Sequence, residues 1–387
     1  MKTMHVWTGL CALILLASFA AMEASGIPAF ARKYDMSCLT CHQPAPKLKA
    51  YGEEFAGNGF QLPGKEPPRA FRNTGDEWLL LMRELPLALR FEGFLRWLPN
   101  NDGRTEFQTP YLLKILSGGQ IARNVSYYFY FFFDERGDVA GLEDAFIMFN
   151  DVFSTPLDVY AGQFQISDPL FKRELRLTFE DYQIYRLRPG ESRINLTYDR
   201  GFMFTYGFSS GTDLTFEIVN GSGIGPADAS RLFDIDNYKN PMLRISQDIG
   251  EHLRIGAFGY YGNEEQFAER NEMWMAGPDL TVRLDRFELN AQYVERRDEN
   301  PGFVASPGER VETRGGFGEL IYVPDADQSR FYLTGLYNWL ESAGGKYHTL
   351  TGSVSYMLAR NLRLTGEYTY DFEYEANRIT VGFVSAF

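Results

Sequence analysis

The chain has 387 residues and a formal charge of −13, from 38 Lys+Arg against 51 Asp+Glu. An acidic chain without a basic cluster lacks the face that phosphate neutralisation needs, so nucleic-acid binding is excluded. Hydrophobic residues at 44% exclude a disordered chain, and a mean hydropathy of −0.29 excludes a bundle of transmembrane helices.

The first residues read as an export address. Lys2 gives a short positive start, residues 6–22 are apolar and uncharged, and small residues follow at Ala20, Ala21, Ala24, Ser25 and Gly26. This is the pattern of a signal peptide over residues 1–24; a signal anchor is the alternative. Cleavage removes Cys11 and leaves two cysteines in the mature chain, Cys38 and Cys41.

Those two lie in Cys38-Leu39-Thr40-Cys41-His42, a C-x-x-C-H run. Two thiols at this spacing can each add to a haem vinyl group, and the adjacent His42 then reaches the iron as proximal ligand. A structural zinc site would need two more ligands, and the other histidines of the mature chain are His252 and His348. A thioredoxin-like redox pair needs a βαβ context that the sequence lacks, and a plain disulfide stays open in an oxidising compartment. After the motif, Pro44 and Pro46 predict the start of a helix running to about Gly57. Leu48, Tyr51 and Phe55 would share one helical stripe, a wall for a haem face. Residues 63–68, rich in Pro and Gly, read as a linker. Residues 25–72 are thus a small α-helical mono-haem cytochrome c module with its linker. Met82, forty residues after His42, is a tentative distal ligand; Met203 and Met357 are others.

From residue 85 to the end the pattern changes to alternation. Phe287, Leu289, Ala291 and Tyr293 alternate with polar residues, as do Leu362, Leu364, Tyr368 and Tyr370, and Phe331, Leu333, Tyr337 and Trp339. Runs of about ten residues with one apolar face fit tilted strands crossing a bilayer. Aromatics at 16% and 37 glycines suit such a protein, and the chain ends on an aromatic, Phe387. A soluble β-sandwich also alternates, but needs neither so many strands nor this terminus. Short turns alternate with longer polar loops, which predicts an all-β fold. It would be an outer-membrane antiparallel β-barrel of about 16 strands with both ends periplasmic. One connection, residues 167–199, is long enough to fold into the pore. Seven consecutive aromatics at 127–133, and Met203 opposite Phe202 and Phe204, fit either an aromatic girdle with the strand register read one residue out, or a plugged lumen with the haem module as the plug.

The residues 28–34 (PAFARKY), the 36–42 stretch MSCLTCH, and Pro46, Leu48, Gly52, Phe55, Asn58, Gly59 and Phe60 resemble the fused mono-haem cytochrome–porins. That family includes the outer-membrane iron oxidases of iron-oxidising bacteria. The resemblance implies that Cys38 and Cys41 hold one covalent haem c, with His42 as its proximal ligand. It also implies an electron-transfer protein of the outer membrane, an oxidoreductase of iron-oxidase type. Its partners would be extracellular Fe(II) or another reductant and a periplasmic cytochrome or other carrier. The alternatives are a porin whose haem module acts as plug or sensor, and a haem enzyme such as a peroxidase. A lone haem serving an outside donor is expected within the pore near the outer mouth. Loop acids there, namely Asp134, Glu135, Asp138, Glu264, Glu265, Asp298, Glu299, Glu373 and Glu375, would gather cations, or else are solvated loop charges that meet lipopolysaccharide through divalent ions.

Overall fold

The computed structural model describes residues 29–62, 71–76, 78–79, 81–83, 85–100, 102–234, 236–305 and 308–387. The expected signal peptide and the 63–68 linker lie outside the described residues. Two short helices, α1 (Ala29–Tyr34) and α2 (Ala50–Gly57), flank a single 3-10 turn at Cys38–Thr40. Two-residue strands β1 (Phe71–Arg72) and β2 (Leu81–Met82) pair with each other.

Sixteen strands then close a barrel. They are β3 (Leu87–Leu98), β4 (Arg104–Ala122), β5 (Val125–Glu135), β6 (Gly141–Phe149), β7 (Leu157–Gln165), β8 (Tyr198–Gly207), β9 (Thr212–Val219) and β10 (Asn240–Ile249), followed by β11 (Leu253–Gln266), β12 (Glu269–Leu284), β13 (Phe287–Asp298), β14 (Val311–Tyr322), β15 (Phe331–Ser342), β16 (Gly345–Ala359), β17 (Leu362–Asp371) and β18 (Ala376–Ala386). Each pairs antiparallel with its neighbours in sequence, and β18 closes on β3 with Phe383 opposite Gly93. Closure leaves no open strand edge, the condition for a sheet to span a bilayer.

The period of two decides which side chain faces where. Along β15, Phe331, Leu333 and Tyr337 are exposed while Tyr332, Thr334 and Asn338 are buried. Leu243, Ile245, Leu350, Val354 and Val381 are each half exposed, on the outward faces of their strands. Such a continuous apolar exterior over a polar interior is a lipid-facing surface. Turns at the end that carries Leu87 and Phe387 run from two residues, as between β4 and β5, to eight, between β14 and β15, whereas the longest connections, residues 166–197 and 220–239, leave from the other end. That end is the periplasmic one. At the other end the strands run further than the polar pattern suggested. The residues around 263–271, expected as a loop, stay paired up to Gln266↔Glu269, because polar residues in register still make ladder bonds.

The chain between β7 and β8, residues 166–197, folds into the barrel, as its length suggested. It forms two antiparallel bonds at its base, Ile166 N to Thr197 O (2.7 Å) and Ser167 N to Leu196 O (3.2 Å). Its Tyr182, Ile184, Tyr185, Ile194 and Leu196 pack against Phe258, Tyr260, Met273, Phe317 and Leu336 from the wall. Here the barrel is filled like a soluble core.

Candidate functional site

The C-x-x-C-H residues sit on one tight turn. The Cys41 and His42 amides both donate to Cys38 O, at 3.2 and 2.9 Å, and Ser37 Oγ caps the turn by accepting from Leu39 N. The helix predicted from Pro44 starts later, at Ala50. Residues 43–48 instead loop back, so that His42 Nδ1 donates to Pro46 O (2.9 Å), with Lys47 O at 3.3 Å. This bond fixes the ring and leaves Nε2 as the nitrogen available to a metal. Burial lowers the His42 pKa, against the raising effect of the Pro46 and Lys47 carbonyls, and so favours the neutral imidazole that binds metal. Cys38 and Cys41 are unbridged and half-buried, and burial raises both thiol pKa values. Gly52 lets α2 lie on the turn: a Cβ there would stand 2.4 Å from Cys41 O. Tyr51 turns outward and is exposed, so the expected stripe narrows to Leu48 and Phe55.

The small module closes the periplasmic mouth. Phe30, Phe55 and Phe60 form an aromatic cluster, and Phe60 stacks on Tyr128 of β5 at 4.9 Å. Lys47 pairs with Glu288, Lys49 with Asp327 (3.1 Å), and Glu53 with Arg283 (3.7 Å). Asn150 Nδ2 donates to Gly57 O at 3.0 Å. Gly59 (φ +66°) approaches so closely that a Cβ would meet Ser126 Oγ at 2.2 Å. The expectation of a haem site near the outer mouth is therefore corrected. The module's partners are residues at or beside the periplasmic turns, and the lumen beyond is already occupied by residues 166–197.

Between module and lumen lies a cavity of about 880 Å³, within the 300–1,000 Å³ that ligand sites occupy. Cys38, Cys41 and His42 line it on one side, and Lys114, Tyr128, Met203 and Met357 of the barrel on the other. Residues 168–177 form its ceiling, where Lys114 Nζ meets Glu174 Oε2 at 2.9 Å. A donor set of two unbridged thiols and an oriented imidazole, opening on a cavity of this size, fits a covalently held haem. The structure thus brings Cys38, Cys41 and His42 together with Met203 and Met357. Met82 pairs with Phe71 and does not line the cavity. His252 lies in the turn between β10 and β11, and His348 bonds Glu373 at 3.0 Å near the outer end. The buried Lys114 and Asp144, on strands whose pattern gave no functional signal, were missed by sequence reasoning.

Above the ceiling, Asp181 holds the inner segment together. Arg173 grips it with two bonds (3.1 and 2.5 Å), with Arg176 at 3.8 Å and Arg186 at 3.6 Å. Its burial would raise its pKa, but Arg176, Arg173 and Arg186 outweigh that and hold it below the ordinary carboxylate range. Three of the outer loop acids are engaged within the protein, while Asp138, Glu265 and Glu375 remain exposed. Asp298 is fully buried on Arg296 (2.7 Å), Glu264 binds the Arg193 amide, and Glu299 pairs with Arg297 and Arg310.

No protein-family model matches the sequence, and no curated protein does. Solved structures match the fold. The anion-selective porin of Comamonas acidovorans has 10% identity and a TM-score of 0.57, covering 79% of this chain and 99% of that one. OmpF of Salmonella typhi, solved with daunomycin, has 13% identity and a TM-score of 0.58, covering 78% and 97%. The outer-membrane channel DcaP of Acinetobacter baumannii has 13% identity and a TM-score of 0.57, covering 79% and 97%. At these identities the likeness is one of fold. The chain forms a porin-like, closed 16-strand outer-membrane β-barrel.

Proposed function

We propose that this porin-like barrel is an outer-membrane electron-transfer protein with one c-type haem at its periplasmic mouth. It would exchange electrons between a reductant such as extracellular Fe(II) and a periplasmic cytochrome or other carrier. The observation that carries this reading is the joint exposure of Cys38, Cys41 and the oriented His42 to one cavity between module and lumen. A haem held there supplies one-electron redox chemistry. The chain's own residues position and shield that group. Pro46 O sets the imidazole, Gly52 lets α2 pack on the motif, and Lys47, Lys49 and Asn150 lock the module to the turns. The periplasmic position suits exchange with a carrier. Direct contact with an extracellular donor requires residues 166–197 to move.

Two measurements test the reading. A denatured gel should stain for haem, and the Cys38→Ala, Cys41→Ala double variant should lose the stain; persistence of the stain refutes covalent attachment. Intact cells given Fe(II) on a chelator too large to enter the periplasm should reduce the haem. Haem that stays oxidised until the outer membrane is broken refutes extracellular oxidation. A second reading, a channel with the module as its plug, is favoured by the likeness to solved channel proteins over 79% of the chain. Solute conductance in liposomes that appears when residues 29–62 are deleted from a Glu367→Ala barrel, whose inner segment has lost its two amide bonds to the wall, with none in the full chain, would support it.

A further inference from the structure

On the outer side of the inner segment lies a second cavity, of about 410 Å³. Its walls come from the outer halves of β3, β4, β16 and β18, the hairpin after β5, and residues 179–186. In a chain with a formal charge of −13, this cup gathers four guanidinium groups, those of Arg96, Arg136, Arg186 and Arg378.

Three acids, Asp181, Glu180 and Glu106, share the cup, so the four guanidinium groups outnumber them by one. Asp181 is held from behind by Arg173 through two bonds, so it answers only part of the charge on Arg186, 3.6 Å away. Glu180 is bonded by Tyr347 Oη and lies 3.5 Å from Arg378, which also has Asp371 at 3.8 Å. Glu106 accepts from Gln108 Nε2 at 3.2 Å. Arg96 has no carboxylate within 4 Å among the described residues. Its Nε is buried without a partner, and its guanidinium lies 5.1 Å from the Phe179 ring. Arg136 donates from Nε to Tyr111 Oη (3.0 Å), has Glu135 at 3.6 Å and remains 43% exposed; Arg186 is 39% exposed. Arg186 also feels positive neighbours: burial, then Arg173, Arg136 and Arg176, lower its pKa against the opposing pull of Asp181.

We propose that this outer vestibule binds a compact soluble anion carrying two or more carboxylates. Planar guanidinium forks take carboxylates through paired hydrogen bonds, and several forks around one cup select an anion with several carboxylates over a single one. Arg96, with no anion of its own, is the primary contact, and Arg186 and Arg136 close the cup from the segment and the hairpin. The inner segment forms the floor, so the anion is bound outside it. This assignment is independent of the haem reading.

Calorimetric titration of citrate into the full-length protein, in neutral detergent at low salt, is the test. Saturable binding is expected, weakening as ionic strength rises. Arg96→Gln and Arg186→Gln should each weaken it about tenfold, and acetate should not compete. Arg96→Lys, which keeps the charge but loses the fork, should fall between wild type and Arg96→Gln. Heat-modifiable migration on gels reports that each barrel is folded. Absence of citrate binding to the wild type, unchanged affinity in the folded Arg96→Gln and Arg186→Gln variants, or tighter binding of inorganic phosphate than of citrate would overturn the proposal. The last result would point to lipopolysaccharide or free phosphate instead.

Discussion

Glu367 on β17 gives the sharpest perturbation of the closed lumen. Its two carboxylate oxygens accept the amides of Phe179 (2.7 Å) and Glu180 (2.9 Å), and all three groups lie in the interior. These bonds tie the middle of residues 166–197 to the wall, beside a void of about 20 Å³ that has room for about one water. Glu367→Ala orphans both amides. Each buried donor left unpaired costs about 1–3 kcal/mol, and taking the lower half of that range for a site next to water gives about 2–4 kcal/mol for the pair. At about 1.4 kcal/mol per decade, the detached state of the segment should rise about 30- to 700-fold. Glu367→Gln, which keeps one carbonyl acceptor, should recover roughly half of the lost free energy. Amide hydrogen exchange at Phe179 and Glu180 reads this as a matching loss of protection, with heat-modifiable migration confirming a folded barrel. Exchange at these two amides in folded Glu367→Ala as slow as in wild type would show that the segment is not held by this contact.

Three further outcomes are expected. Met82→Ala should leave the haem spectrum unchanged, because Met82 pairs with Phe71 outside the cavity, whereas Met203→Ala or Met357→Ala should alter it; a spectral change in Met82→Ala alone would reverse this. Asp181 has its pKa depressed by Arg176, Arg173 and Arg186 despite burial, so its contribution is complete above the unfolded value of about 3.9 and fades only as pH falls toward the lower folded value. Protease resistance of residues 166–197 should therefore be flat from pH 7 to about 4 and decline below, and a decline centred above pH 5 would contradict the assignment. Lys47→Ala leaves the half-buried Glu288 without its nearest cation, and should loosen the module by about 1–3 kcal/mol, read as faster amide exchange at residues 42–57; unchanged exchange would exclude the pair as a lock.

The barrel was legible because its solvent contrast is written every second residue. In β15 and β17 the apolar set faces outward and the polar set inward, and a one-residue slip would put Thr334 and Asn338 into lipid. The count of sixteen followed from the turns, and the long connection betrayed the inner segment by length alone. Loop boundaries were less legible. Asn263, Glu264 and Arg270 look like loop residues, yet their backbones remain in the β11–β12 ladder, since ladder bonds do not depend on side-chain polarity.

The local geometry of the motif was legible and its place was not. C-x-x-C-H is local: one turn sets the spacing of Cys38, Cys41 and His42, so the sequence contains it whole. Where the module docks depends on contacts made across as many as 278 positions, such as Lys49 with Asp327, and no local pattern encodes them. Glycines carried the only early trace. Gly52 and Gly59 stand where any Cβ would strike Cys41 O or Ser126 Oγ, so each marks a close approach whose partner only the fold reveals. The inner segment then fixes the consequence. With Tyr182, Ile184 and Tyr185 packed across the lumen, the module cannot rise toward the outer mouth, and the two cavities divide the barrel into a periplasmic chamber lined by Cys38, Cys41 and His42 and an outer arginine-lined vestibule. An electron donor or solute arriving from outside meets Arg96 and Arg186 first, and reaches the chamber of His42 only past the contacts of Glu367 and Asp181.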